Sequence, residues 1–370
     1  MKQAPRTLKY CMMIIFVAAC AQLSWSDNGL EGRKQVVLEG NAASVSVDVA
    51  GGSIVDFHLS GQSLNPLHWN YPQTRETTPR PMGHFVCFDR WGQPSKSEEK
   101  NGMPFHGEAT KVVWKILRQP SSANGNITAE MSCALPIGGM SLKRTMSLKE
   151  NAPVIEVTEE ITNDNKLGRV YNIVQHPSIG PPFLDETVII DCNALKGFMS
   201  ESTMPNPEEP TINWPANVYR GKLVDLRYLT DDQRPGVTSF VFRDGLEYGW
   251  VTACNPEQGL LLGYRWKLSE YPWLNIWRSV VGGKPAARGI EFGTTGLHRP
   301  FGILLEKHTM FGRTLYEYLD AGESVVKTYT MFLAEIPAGC TGVSDIRVED
   351  GKIAITITTD SGTSEIVIEK

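Results

Sequence analysis

The chain has 370 residues, 34 of them glycine and 23 proline, and a formal net charge of -5 at pH 7. That balance, with no Lys/Arg cluster, excludes the basic face that a nucleic-acid partner requires. Of seven cysteines, five (Cys87, Cys133, Cys192, Cys254 and Cys340) lie scattered without a CxxC pair. This excludes a dense disulfide framework and leaves room for one disulfide that the sequence does not pick.

In chain order, a targeting segment comes first. Met1 to Lys9 carries Lys2, Arg6 and Lys9 and no acid, and Tyr10 to Ala21 is apolar but short for a bilayer span. Residues 1–26 read as a signal peptide. Val17-Ala18-Ala19-Cys20 has the form of a bacterial lipobox, which would place a lipid on Cys20. Cleavage near Ser24 to Ser26, also among small residues, is the alternative. Both readings predict export, to the periplasm or to an outer-membrane-anchored lipoprotein held by that lipid. No later segment is apolar enough to span a membrane.

Beyond this segment the dominant period is two. Ala43 to Val49 alternates as a half-buried strand should, and Lys111 to Leu117 reads as a strand. Asn124-Gly125 turns the chain back into Asn126 to Leu135. Met140 to Leu148 and Val154 to Ile161 form the next pair. Thr187 to Cys192, Ser239 to Phe242, Tyr248 to Ala253, Gly259 to Trp266, Trp273 to Val280 and Val325 to Ala334 continue the series. After Gly339 a hairpin is expected, Ser344 to Val348 and Lys352 to Thr358 about the turn Asp350-Gly351, followed by Ser364 to Glu369. Helices are scarce; Arg313 to Leu319 is read as one short turn. Ser200 to Pro215, rich in Pro, Asn and Glu, reads as a long surface loop able to cover a site. The pattern predicts an all-β protein, with one large antiparallel β-sandwich over 36–337 and a β-hairpin extension over 338–370.

Chemistry-bearing residues stand in three settings. His106 lies in Met103-Pro104-Phe105-His106-Gly107, where proline disfavours helix before it and Gly107 permits a close backbone approach to a ligand. His176 ends the apolar run Val170 to Val174, and Pro177 is expected to stop the strand there. Glu291 lies between Ile290 and Phe292, where desolvation would raise its pKa toward the range of a useful base. Two imidazoles and a carboxylate supply an acid, a base and an orienting partner. Trp91, Trp266, Tyr271, Trp273 and Trp277 offer faces for sugar rings, against a competing role in the core. No GxGxxG, P-loop or G-x-S-x-G is present. Without HxxE or HxH spacing, no metal is expected at the two histidines and the glutamate.

Taken together, the ordered His, His and Glu motifs resemble the galactose mutarotase-like superfamily, the aldose 1-epimerases and their relatives. His106 before Gly107 matches the first histidine, His176 before Pro177 the second, and Glu291 in Gly-Ile-Glu-Phe the late glutamate. Arg90 stands where the family has a sugar-binding arginine, and Asp244 is the nearest counterpart of its aspartate. The second motif departs from the family, running Pro177-Ser178-Ile179-Gly180-Pro181-Pro182. The resemblance implies a β-supersandwich and a small sugar or glycan end as partner. It further implies Glu291 as base and His176 as acid at the anomeric centre. His106, Arg90, Trp91 and Trp273 would bind the sugar, and no cofactor is implied. Two other readings are a non-catalytic carbohydrate-binding protein and a uronic-acid lyase. The lyase would need Arg90, Arg265, Arg278 and Arg288 gathered around a carboxylate.

Overall fold

Side-chain alternation decides where each strand goes. Asn126–Leu135 and Met140–Lys149 bury every second residue, so each presents one face to the core and one outward. His84–Asp89 is buried on both faces, which places it mid-sheet under cover. The computed structural model describes residues 30, 32–69, 77–219, 222–229 and 236–370. The targeting segment, with Cys20 and both cleavage sites, lies outside them. Among the described residues no helix is long and apolar enough to cross a membrane.

Two large antiparallel sheets result. The first has 13 strands. Its centre runs Ile54–Leu59, His84–Asp89, Arg169–Ile179, Lys284–Gly293, Trp273–Val281, Gly236–Phe242 and Ala194–Met199. The second has eight strands, with Leu260–Lys267, Ser324–Glu335 and Val154–Asn163 at its middle. Their facing surfaces share one apolar core, in which Trp266 of the second sheet stacks on Phe292 of the first at 4.3 Å and 9°. Burying an aromatic ring of this kind contributes about 1.5–3 kcal/mol. Cys340–Glu349, Lys352–Thr359 and Gly362–Glu369 form a separate sheet of three strands. The C-terminal extension thus has the expected hairpin and the further strand over Ser364 to Glu369, and it packs on the sandwich through a shared apolar cluster.

Four local expectations are corrected. Lys111 closes a 3-10 turn, and the strand begins only at Lys115; Trp114, buried with its Nε1–H donating to the Ala109 carbonyl, holds that turn. Arg313 to Leu319 is two short strands, Arg313–Thr314 and Glu317–Leu319, the second pairing with Arg169–Tyr171. The segment from Ser200 to Pro215 contains the short strand Ile212–Asn213. It is tied to the helix Phe301–Lys307 by Lys307, which pairs with Glu208 at 2.7 Å. Pro177 does not end its strand, which runs on to Ile179. Proline lacks an N–H to donate. Accordingly the ladder to Lys284–Gly293 passes from Gly289↔Ser178 to Phe292↔Gln175 without pairing the residues between.

Candidate active site

That interruption lies at the candidate site. Odd and even positions divide the strands of the large sheet. Gln175, Leu274, Ile290 and Phe292 face the core, while Val174, His176, Asn275 and Glu291 share the outer face. A row of outer-face residues crosses the sheet. Phe85 is the register partner of His176, Asn275 of Glu291, and Ser239 of Asn275. His176 and Glu291 close the gap between them through Nε2 and Oε1 at 3.1 Å. Gly289, two residues before Glu291, keeps this floor open. A Cβ there would lie 2.9 Å from Glu291 Oε1 and 3.1 Å from the Trp277 side chain.

The loop after His84–Asp89 covers the row. Its helix Lys96–Lys100 is opened by a capping box, in which Ser95 and Glu98 each satisfy the other's backbone N–H. At its far end Gly107, with φ +75°, passes the Phe88 carbonyl so closely that a Cβ would lie 2.0 Å from that oxygen. The close approach expected of Gly107 is thus to the chain itself rather than to a ligand. The loop delivers Trp91, whose Nε1–H donates to Glu291 Oε2 at 2.9 Å. It also delivers His106, whose Nδ1 accepts from the Gly92 N–H at 3.0 Å. His106 and His176 rings stand 5.6 Å apart. Two distant histidines and the late glutamate therefore meet on one surface.

The hydrogen bonds assign the protons. A neutral His106 that accepts at Nδ1 carries its hydrogen on Nε2, leaving a donor. Ser178 Oγ–H donates to the His176 carbonyl at 3.3 Å, so His176 Nδ1–H donates to that Oγ at 2.9 Å. Nε2 of His176 is then an acceptor, facing Glu291 Oε1. Burial pushes the Glu291 carboxyl well above its ordinary range, against the lowering effect of the Trp91 hydrogen bond. Burial also pulls His176 down to about 3. Both groups are driven to their neutral forms, so the pair holds one proton, on Oε1, donated to Nε2.

The other expected residues fare differently. Arg90 is held by Asp89 at 2.9 Å and Glu98 at 2.7 Å, with its guanidinium over Phe301. These partners occupy the arginine expected to bind sugar, and it is the adjacent Trp91 that reaches Glu291. Trp91 orients the acid through its N–H rather than offering an open face, being 2% exposed. Trp273 is fully buried in a cluster with Phe198, Leu297 and Leu304, its N–H donating to the Thr314 carbonyl. It is core, because that cluster covers its ring. Asp244 is an exposed residue paired with Arg313. It lines a recess of about 430 Å³ with Phe242, Leu268 and Pro272, apart from the histidine cluster. The four arginines of the lyase reading do not converge. Arg265 stacks on Tyr248 in the other sheet, and Arg278 and Arg288 are register partners on the opposite face of the large sheet from Glu291.

Sequence reasoning missed His298, Phe85 and Asn275. His298 packs its ring on Trp91 at 4.6 Å and on His106 at 5.5 Å, and burial lowers it to about 4. Gly92 makes room for it, since a Cβ there would meet the imidazole at 2.7 Å. Phe85 stacks on His176 at 4.1 Å. Trp277, already noted for its aromatic face, and Trp69 form a wall with rings 5.8 Å apart, Trp277 also standing 5.8 Å from His176. Asn275 is fully buried beside Glu291, with Nδ2 bound to the Thr295 carbonyl and Oδ1 without a partner. Its alternation with Leu274 and Ile276 was the available signal: a polar residue on the face opposite two core residues. Among the described residues no group of three or more His, Cys, Asp or Glu is arranged to hold a metal ion.

This architecture recurs among solved structures. A galactose mutarotase related enzyme from Lactobacillus acidophilus aligns at a TM-score of 0.58 and 12% identity, over 82% of this chain and 98% of its own. A galactose mutarotase-like protein from Clostridium acetobutylicum gives 0.58, 12%, 82% and 96%. One from Lactobacillus casei gives 0.56, 13%, 81% and 100%. The chain thus has the galactose mutarotase-like fold. No protein-family model matches it, and no curated protein does so.

Proposed function

We propose that this protein is a carbohydrate-active isomerase of the aldose 1-epimerase kind, interconverting sugar anomers by acid–base chemistry at His176 and Glu291. The observation that carries the reading is the buried 3.1 Å His176–Glu291 pair, with the His106 imidazole and aromatic faces around it.

An anomeric hydroxyl and ring oxygen would replace the direct bond between the pair. One partner takes the O1–H proton and the other delivers its own to O5 as the C1–O5 bond breaks. The open-chain aldehyde turns about C1–C2, and closure returns both protons. In the resting tautomer His176 is the acceptor and Glu291 the donor. Shifting the proton from Oε1 to Nε2 gives the form implied by the family resemblance, with Glu291 as base. Either way one proton enters the pair and one leaves. His106 Nε2–H and His298 would meet neighbouring hydroxyls, and Trp277 and Trp69 would face the ring. Export, with a lipid on Cys20 as membrane anchor, completes the proposal and rests on the N-terminal sequence alone.

The test is polarimetry on fresh α-glucose and α-galactose. Wild type should accelerate the drift in rotation, and Glu291→Gln should lose roughly 10²–10⁴-fold of that acceleration. Equal rates would remove Glu291 from the chemistry. Sugar binding by calorimetry without any acceleration would establish the non-catalytic reading instead. Because His176 resists protonation down to about 3, the acid limb of kcat/KM should fall below pH 5 rather than near 6.5.

A further inference from the structure

Away from the site, two cysteines that the sequence left unpaired meet where the C-terminal sheet joins the sandwich. Cys254 lies on Tyr248–Asn255 and Cys340 opens Cys340–Glu349. Both thiols are buried, in one apolar cluster that spans the junction and includes Ile189, Phe332, Val343 and Ile355. Each is the largest influence on the other's titration. Their remaining contacts are weak, to the Ile189 carbonyl at 3.6 Å and the Gly342 carbonyl at 3.7 Å.

The backbone around them is fixed independently. Arg227 pairs with Asp191 through Nε and Oδ1 at 2.6 Å and donates to the Thr341 carbonyl at 2.8 Å. Asp191 in turn accepts from the Val343 N–H at 2.8 Å. This clamp holds the start of the C-terminal sheet against the strand Ile189–Cys192, next to Cys254. The half-buried Cys192 is excluded as the partner of Cys254. The register partner of Cys254 on that strand is Ile189, so Cys192 lies three positions along, about 10 Å away, beyond what a disulfide spans.

We propose that Cys254 and Cys340 form a disulfide that staples the C-terminal three-stranded sheet to the sandwich. The oxidant is a small-molecule disulfide of the glutathione class. One cysteine thiolate attacks a sulfur of the oxidant, and one small thiolate leaves. The second cysteine then attacks the mixed disulfide, forming the Cys254–Cys340 bond and releasing the other small thiolate. The two protons go to the released thiolates, so two protein thiols are oxidised and one disulfide is reduced to two thiols.

The experiment compares the full chain purified under reducing conditions with the same protein refolded in oxidised glutathione. Intact mass should fall by two hydrogens, and non-reducing peptide mapping should recover one crosslinked peptide joining Cys254 to Cys340. Cys11, Cys20, Cys87, Cys133 and Cys192 should remain alkylatable after denaturation. The oxidised form should melt roughly 5 °C above the reduced one. Cys340→Ser should abolish both the mass change and the difference in melting. Recovery of both thiols as free after oxidation, or of a crosslink between any other pair, overturns the proposal. Both readouts are made on wild type and stand even where the variant fails to fold.

Discussion

His84 and Phe85, like Gln175 and His176, are neighbours in sequence that serve opposite faces of one sheet. On the inner face they build a polar network that spans the two sheets. Gln175 bridges Glu159 at 2.6 Å and His84 at 3.2 Å, His84 also meets the Tyr264 hydroxyl at 3.3 Å, and Glu159 pairs with Arg144 at 2.7 Å. Arg144 reaches across to the Gly52 carbonyl and lies over the Trp114 ring. On the outer face the same strands carry His176, Glu291, Asn275 and Ser239, where Asn275 Oδ1 and Ser239 Oγ have no partner. These bonds tie the two sheets together in a region that both cover. The open valences of the outer row are what a polyhydroxylated ligand could fill.

That contrast can be broken from its inner side first. Arg144→Met leaves Glu159 fully buried without its cation, and should destabilise the protein by about 3–5 kcal/mol in denaturant titration. A loss no larger than that of an exposed substitution would show that the network does not couple the sheets. Between the two faces lies the loop hinge. Gly107→Ala, which drives a Cβ against the Phe88 carbonyl at a φ of +75°, should cost about 1–3 kcal/mol. It should also displace His106, so that melting and mutarotation fall together.

Acid should act on both faces at once. His84, His106, His176 and His298 are all lowered by burial. A histidine with a depressed folded pKa contributes stability that is complete above the unfolded value near 6.5 and is lost as pH falls toward the folded value. For His298 that window runs from 6.5 down to about 4. Denaturation midpoints should therefore fall steadily from pH 7 to pH 4, and His298→Gln should flatten the slope. An unchanged slope would mean that His298 titrates as a solvated group. The smallest stability effect is expected on the outer row. Asn275→Leu removes an unpartnered oxygen along with one hydrogen bond, so stability should move by less than about 1 kcal/mol, while calorimetry should show weakened sugar binding. A large stability loss with intact binding would reverse the comparison.

Much of the scaffold was legible because strand chemistry is local. Asn126 to Leu135, with its turn at Asn124-Gly125, was readable to the residue. The His, His, Glu order likewise survived folding as a spatial cluster. Faces were not legible. Trp273 and Trp277 are both outer-face residues on one strand, yet one is sealed beneath Leu297 and Leu304 while the other stands beside His176. His298, in a Gly-Leu-His-Arg-Pro stretch without periodicity, gave no sign of reaching Trp91.

Sequence by itself determined that this is an all-β chain carrying two well-separated histidines and a late acid, because period-two alternation and turn residues act over a few positions. Only the tertiary structure decided the rest. Which neighbours share a proton depends on register across strands, and where a carboxyl loses water depends on loops folded over it. Whether a tryptophan packs or faces the site depends on what the rest of the chain lays upon it.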